Sequence, residues 1–328
     1  MESQIIRHYT EKVIQDGPEA LGPGEAEELA ALPDDFLYDL FLGAHKIRTH
    51  YKKDRWIICS LINAKSGHCS ENCAFCAQSG HHKTAIDTYP MKSEEEIVAR
   101  GRMLAAGGAR RYSMVTSGFM LKDRELDTVC RAAGAIRSET GLTVCGSLGT
   151  LTPAMARRLK ESGVSVFHHN LETARSYFDR VCTTHAYDDD IETVRMAHAA
   201  GRKVCSGGIM GLGESWQQRL ELAFTVRDLK VEGIPINFLN PIAGTKMENR
   251  PLLSPMEALK CIALFRFVNA DRDVIICGGR EVTLKDYQSW IFFAGANGMM
   301  VGNYLTTDGR NIEADMDMFH SMPSFSMR

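Results

Sequence analysis

The sequence contains no long apolar run, no apolar leader and no cluster of basic residues. No stretch approaches the roughly 20 apolar residues that a membrane-spanning helix needs, and residues 1–8 are polar and mixed in charge. Lys and Arg number 38 against 41 Asp and Glu, so the chain lacks the basic balance of nucleic-acid-binding proteins. These absences predict a cytoplasmic protein that binds neither membrane nor nucleic acid.

The chain is well supplied with cysteine, of which it has ten. In a cytosolic protein, cysteines indicate metal or redox chemistry rather than disulfides. Cys69, Cys73 and Cys76 follow the spacing C-x3-C-x2-C on a short stretch of small and polar residues. Three thiolates suit zinc or an iron–sulfur cluster. Structural zinc normally takes four ligands in paired halves, and no second pair follows here, so the ligand number favours a 4Fe-4S cluster with one open iron.

From Trp56 onward, short apolar runs alternate with amphipathic helices. The pairs Thr152-Pro153 and Ser254-Pro255 are typical of helix starts, with a capping hydroxyl followed by proline. Eight repeats of strand and helix indicate an α/β fold, a (βα)8 TIM-type barrel. The predicted units are an N-terminal helical cap (1–54), the barrel (55–308) and an irregular C-terminal tail (309–328). The predicted strands are 56–63, 111–116, 142–147, 164–170, 203–209, 234–240, 273–278 and 297–302.

Four further cysteines fall on the odd-numbered predicted strands: Cys59, Cys145, Cys205 and Cys277, on the first, third, fifth and seventh. Alternate strands of a (βα)8 barrel contribute side chains to the same interior layer. A single buried cysteine is usually a small apolar filler. Four on alternating strands instead favour a second cluster site in the middle of the barrel.

The cysteine triplet, with Phe75 before its third member, is the signature of the radical S-adenosylmethionine (SAM) superfamily. The segments Cys59–Gly67 and Ala77–Ser79 around it, and those containing Cys145 and Cys205, resemble the biotin synthase family. The resemblance extends from about Trp56 to Asp308. It implies a radical SAM sulfurtransferase that converts dethiobiotin to biotin, with sulfur from an auxiliary iron–sulfur cluster.

The chain departs from the family pattern at that auxiliary cluster. Ser113 stands where the family has a cysteine ligand, and Ile275 stands where it has an arginine ligand. Cys277 lies two residues further on, so it faces the same side of its strand. We therefore expect an auxiliary cluster of 4Fe type with an extra sulfide, instead of 2Fe-2S. Its expected ligands are Cys145, Cys205 and Cys277, with Cys59 as a fourth ligand or a neighbour.

The resemblance also implies binding residues at the strand ends. Asn170 and Glu172, where the family has Asn and Asp, are expected to hold the SAM ribose, and Asn170 also to reach the substrate. Phe75 and Gly211, in the cysteine loop and a glycine-rich loop, are expected near SAM. Asn237 is the candidate for binding the ureido ring of dethiobiotin, because an amide both donates and accepts hydrogen bonds.

The implied partners are an electron donor such as flavodoxin or ferredoxin, iron–sulfur assembly proteins and a second copy in a homodimer. No side chain is expected to be catalytic, because the radical is generated on SAM. Two alternatives stay open: a biotin-synthase-like radical SAM enzyme acting on another small molecule, and a non-catalytic module that binds zinc. The roles of Arg280 and Cys182 are unassigned.

Overall fold

The computed structural model describes residues 2–322, in which parallel strands form one closed barrel. The strand order is β5-β4-β3-β2-β1-β9-β8-β7-β6, and a further pairing of β5 with β7 closes the ring. The strands are β1 (Ile57–Lys65), β2 (Arg111–Thr116), β3 (Thr143–Ser147), β4 (Val166–His168), β5 (Lys203–Cys205), β6 (Gly208–Met210), β7 (Gly233–Phe238), β8 (Asp273–Ile276) and β9 (Gly298–Met300).

The barrel confirms the predicted fold, since β5 and β6 are two halves of the predicted fifth strand. Ser206 and Gly207 separate them, because neighbouring backbone presses closely on this segment. A Cβ on Gly207 would lie 2.0 Å from the carbonyl oxygen of Pro235, and one on Gly208 would lie 2.5 Å from that of Glu172. Glycine at both positions therefore lets the strand cross between its neighbours.

Helices cover the outside of the barrel and begin at the expected residues. The hydroxyl of Thr152 accepts a hydrogen bond from the backbone of Met155, and that of Ser254 accepts one from Glu257. These caps satisfy amide groups that a helix start leaves unpaired. The outer helices are α4 (Glu94–Ala106), α5 (Asp123–Thr140), α6 (Pro153–Glu161), α7 (Arg175–Phe178), α8 (Tyr187–Ala199), α9 (Trp216–Asp228), α10 (Pro255–Val268) and α11 (Arg280–Leu284).

The N-terminal residues form three helices, α1 (Glu2–Asp16), α2 (Pro23–Ala30) and α3 (Leu37–Lys52), with a 3-10 turn before α3. Their apolar stripes, including Ile6 and Val13, are buried. Helix α3 packs against α1 and α10, so this segment is part of the protein core. None of the described helices has the length and apolarity to cross a membrane.

The expectation of an irregular tail was wrong over α12 (Ile312–His320). The amide oxygen of Asn311 caps this helix at the backbone of Glu313, at 2.7 Å. Met316 and Phe319 are buried. The apolar pattern of nine residues is too short to predict a helix. Most of the stability of α12 comes from packing against the rest of the protein, which the sequence pattern does not show. Residues 323–328 of the predicted tail lie outside the described part of the chain.

Candidate active site

A cavity of about 390 Å³ opens at the carboxyl ends of the strands. Among the residues that line it are Asn170 and Glu172, which follow β4, Asn237 near the end of β7, and Cys277, which follows β8. This is the face on which (βα)8 enzymes place their active sites, because the βα loops converge there. The cavity is therefore the candidate site.

The cysteine loop follows β1 and forms one wall of the cavity. It closes on itself, because the backbone of Cys69 donates to the carbonyl of Gln78 at 3.0 Å and Gly80 donates to the carbonyl of Cys69 at 2.8 Å. Cys76 donates to the carbonyl of Cys73 at 3.0 Å. All three cysteines and Phe75 line the cavity. The loop thus directs three thiols into one space, as a three-cysteine cluster requires.

The charge state of these thiols depends on their surroundings. Burial raises the pKa of Cys76 to about 11. A hydrogen bond to Cys182, together with burial, raises the pKa of Cys73 well above its ordinary value. The same bond, reinforced by His185 and Thr184 against the effect of burial, lowers the pKa of Cys182 to about 3. Cys73 and Cys76 therefore keep their protons at neutral pH unless a metal displaces them.

Asn170 and Glu172 are held in a defined arrangement at the end of β4. The His168 ring nitrogen Nε2 is 2.8 Å from the amide oxygen of Asn170, and the Asn170 amide nitrogen donates to Glu172 at 3.3 Å. The backbone of Glu172 is left-handed, with φ of 61°. Burial, with the charge of Asp190, raises the pKa of Glu172 to about 8. This pair offers both donors and acceptors to the cavity.

Asn237 lies on the same side of the cavity as this pair, because Glu172 bridges Gly208 and Gly208 accepts from Asn237. Two backbone groups fix its amide. Its nitrogen donates to the carbonyl of Gly208 at 3.3 Å, and its oxygen accepts from the amide of Gly278 at 2.9 Å. Gly211, by contrast, is not part of the described cavity wall. Its backbone donates to the carboxylate of Glu214 at 2.8 Å, so it supports the loop after β6.

Of the four strand cysteines, Cys277 lines the cavity and the other three lie outside its lining, in the barrel interior. Cys145 and Cys205 pack together, while Cys277 and Cys59 belong to the apolar lining around β1, β8 and β9. Their exposed fractions are 7%, 8% and 4% for Cys145, Cys205 and Cys277. Burial raises the pKa of all four, and the charge of Cys59 adds to the effect at each of the other three. The structure brings all four into one interior region.

Two family models match the chain: the radical SAM superfamily over residues 65–226 and the biotin and thiamin synthesis associated domain over residues 235–323. A biotin synthase of Syntrophus aciditrophicus (strain SB) is 58% identical over 316 residues, covering 96% of this chain and 97% of the relative. One of Nitratidesulfovibrio vulgaris (strain DP4) is 52% identical, covering 93% and 84%. The chain belongs to the biotin synthase family. It is thus a radical SAM enzyme of biotin synthesis.

Solved structures agree with this fold. Methylornithine synthase superposes with a TM-score of 0.77 at 21% identity, covering 89% of this chain and 85% of that one. The [FeFe]-hydrogenase maturase HydG gives 0.80 at 17% identity, covering 97% and 74%. As a member of the biotin synthase family, the chain uses a 4Fe-4S cluster and SAM, with an auxiliary iron–sulfur cluster. Family membership excludes the non-catalytic zinc module.

The interior of the biotin synthase barrel also contains an arginine, Arg111, to which the sequence motifs did not point. Arg111 interacts electrostatically with Cys59, Cys145 and Cys205, and its guanidinium lies 3.4 Å from Asp273. Its position in the sequence could have predicted this, because Arg111 lies two residues before Ser113 and both side chains therefore face the same side of β2. A guanidinium near three thiols suits an anionic metal cluster better than it suits thiols that only fill apolar space.

Ser113, which replaces the family cysteine, places a polar group in the interior where a cluster would be bound. The hydroxyl of Ser113 is buried and has no hydrogen-bond partner. Gly233 leaves room for the nearby thiol, because a Cβ there would lie 2.6 Å from the sulfur of Cys205. Ile275 is buried in the apolar lining beside Cys277. This donor set can hold an iron–sulfur cluster through its cysteines, with Ser113 as a polar neighbour.

Arg280, unassigned from sequence, is not part of the described cavity lining, although its charge acts on Cys277. Its side chain is fully buried and pairs with Asp315 of α12 at 2.5 Å and with Gln288. Glu281 lies 3.3 Å from the same guanidinium nitrogen. The arginine therefore joins the C-terminal helix to the barrel rather than contacting the cavity.

Proposed function

We propose that this chain converts dethiobiotin to biotin by radical sulfur insertion, with the sulfur supplied inside the barrel. The observation that carries the proposal is the presence of two sets of thiols at two depths of one barrel. The upper set lines the cavity. In the lower set, Cys277 reaches the cavity lining, and Cys59, Cys145 and Cys205 interact with Arg111. The upper set is Cys69, Cys73 and Cys76, and the lower set is Cys145, Cys205, Cys277 and Cys59.

When bound, the 4Fe-4S cluster with SAM supplies hydrogen abstraction and the auxiliary cluster supplies sulfur. The residues of the chain place the reactants. Asn170 and Glu172 hold the ribose hydroxyls of SAM, which their mixed donors and acceptors suit. Asn237, which also lines the cavity, binds the ureido ring of dethiobiotin. Positioning of this kind lowers the barrier because the reacting atoms are held near contact distance.

The walls of the cavity keep water away from the reacting carbon. Leu61, Val115 and Met300 are buried apolar residues from three strands that line it. An apolar lining contains few groups that could react with this carbon in place of sulfur. The protein's contribution is therefore orientation and exclusion of solvent, while the cofactors carry the difficult chemistry.

We infer that the auxiliary cluster is of 4Fe type with an extra sulfide. A serine and an isoleucine replace two ligands of a 2Fe-2S cluster, and Cys277 adds a thiol on the interior side of β8. Three cysteines on a cubane leave one iron for an additional sulfide. Cys59 is a fourth ligand or a close neighbour, because its charge acts on each of the other three thiols.

The test is anaerobic reconstitution with iron and sulfide, followed by incubation with SAM, a reductant and dethiobiotin. We expect biotin as the product and about eight irons per chain, from two cubane clusters. Cys277→Ala should lose the inner irons and biotin formation but keep SAM cleavage. Cys261→Ala, a buried cysteine on α10, is the matched control and should change neither. A different product from dethiobiotin would favour another biotin-synthase-like activity.

We also infer a homodimer that works in the cytoplasm with a flavodoxin- or ferredoxin-type donor and iron–sulfur assembly proteins. An exposed aromatic surface supports the dimer. Trp290 lies 5.8 Å from Tyr38, 6.1 Å from Tyr287 and 6.3 Å from Phe293, measured between ring centroids. Contiguous apolar surface of this kind commonly marks an interface. Phe293→Glu should yield a monomer in sedimentation analysis, and an unchanged mass would contradict this interface.

A further inference from the structure

A compact group of metal-binding side chains lines the edge of the cavity, and the proposed reaction gives it no role. Glu71 belongs to the cysteine loop, and Cys182 contacts Cys73. The carboxylate of Glu71 is 2.6 Å from Nδ1 of His185, and the sulfur of Cys182 is 3.4 Å from the same nitrogen. The three ligand atoms all lie within 4.8 Å of one another. Cys182 is 2% exposed, and the side chains of Glu71 and His185 are 13% and 12% exposed.

The backbone holds this group together without help from a ligand. Residues 181–185, between α7 and α8, lie along the cysteine loop. The amide of Ala74 donates to the carbonyl of Val181 at 2.8 Å. The amide of Thr183 donates to the Asn72 side chain at 2.9 Å, and the amide of Asn72 donates to the Thr184 hydroxyl at 3.1 Å. The donor atoms are therefore preorganised by two segments far apart in sequence.

The histidine also has the outer partner that metal-binding histidines usually have. Nε2 of His185 lies 3.4 Å from one carboxylate oxygen of Asp190, while Nδ1 faces Glu71 and Cys182. The other oxygen of Asp190 is 2.8 Å from Nε2 of His169. A carboxylate on the far nitrogen fixes the ring and the tautomer, so that the near nitrogen can bind a metal.

We propose that Glu71, Cys182 and His185 bind one divalent transition-metal ion, distinct from both iron–sulfur clusters but adjacent to Cys73, which Cys182 contacts. A thiolate, an imidazole and a carboxylate together suit the borderline ions, zinc, iron(II) or cobalt(II), better than magnesium or calcium. Three protein ligands leave a fourth position for water. The ion fastens the segment between α7 and α8 to the cysteine loop. The inference goes beyond the proposed function and does not depend on the reaction.

The test uses the anaerobic holoenzyme with its iron–sulfur clusters assembled, dialysed against cobalt(II). Cobalt is chosen because its X-ray absorption edge is read separately from that of iron. We expect one cobalt per chain, with one sulfur and otherwise nitrogen and oxygen neighbours. Cys182→Ala and His185→Gln should each lower the cobalt affinity at least tenfold. Cys261→Ala, another buried cysteine, is the matched control and should leave the affinity unchanged.

Three results would overturn the proposal: no stoichiometric cobalt, an affinity that neither substitution lowers, or three or more sulfur neighbours, which would place cobalt in a cluster position. The iron content of each variant shows whether it folds and keeps its clusters. If Cys182→Ala loses iron, Glu71→Gln on the more exposed side of the group takes its place, with the same tenfold loss expected. Biotin formation is not measured, so failure here is separate from failure of the proposed function.

Discussion

Removing Asp315 should destabilise the protein, because the residue neutralises a fully buried arginine. Both side chains are 0% exposed, and their charged atoms lie 2.5 Å apart. Deleting one partner of a buried ion pair costs about 3–5 kcal/mol, since the other charge is left unpaired. Gln288 and Glu281 still contact Arg280, so we expect the lower end for Asp315→Ala, about 3 kcal/mol. In a chain of this size, that lowers the melting temperature by roughly 5 °C.

The assay is thermal unfolding of the anaerobic holoenzyme by circular dichroism at one fixed scan rate, since cluster loss makes unfolding irreversible. The double variant Arg280→Met/Asp315→Leu is the control. It fills the same space without charge and should lose less than Asp315→Ala. Limited proteolysis should cut near α12 sooner in the single variant. Equal stabilities for the two variants, or a single-variant loss below about 1 kcal/mol, would refute the reasoning.

Three further predictions concern the cavity and the barrel interior. In the cluster-free protein, Glu172 has its ordinary pKa of 4.5 when unfolded and a pKa of about 8 when folded, so the free energy of unfolding should fall as the pH rises between these values. Glu172→Gln should make the melting temperature less dependent on pH in this range. An unchanged pH dependence would contradict the prediction. Asn237→Ala should raise KM for dethiobiotin roughly tenfold with little change for SAM, through the loss of a hydrogen bond; equal effects on both would exclude a ureido contact. Gly233→Ala would place a Cβ 2.6 Å from the sulfur of Cys205. It should lower the iron content of the auxiliary cluster while SAM cleavage persists. An unchanged iron content would show that the thiol can move.

The barrel and its interior cysteines were predictable because both follow from short-range rules. Alternation of strands and helices predicts the parallel barrel, and the period of two along a strand decides which side chains point inward. Cys145 on β3 and Cys205 on β5 are examples, since alternate strands share a layer. The same rule applies to Arg111, but an arginine near a strand start is more often solvated than buried.

The remaining features depend on contacts between distant segments. Glu71 and His185 are far apart in sequence, and only the docking of residues 181–185 on the cysteine loop brings them together. Helix α12 depends on packing and on the charge of Arg280, which a nine-residue pattern cannot reveal. The break in the fifth strand arises from backbone crowding by Pro235 and Glu172, which belong to other elements.

The depth of the lower thiols has a consequence for repeated turnover. Of the interior cysteines, Cys277 lines the described cavity, and Cys59, Cys145 and Cys205 lie below it. On the proposed reaction, each sulfur atom consumed there must be replaced through the passage by which the finished vitamin departs. Reloading of sulfur and synthesis of biotin then use the same opening, so they take place one after the other.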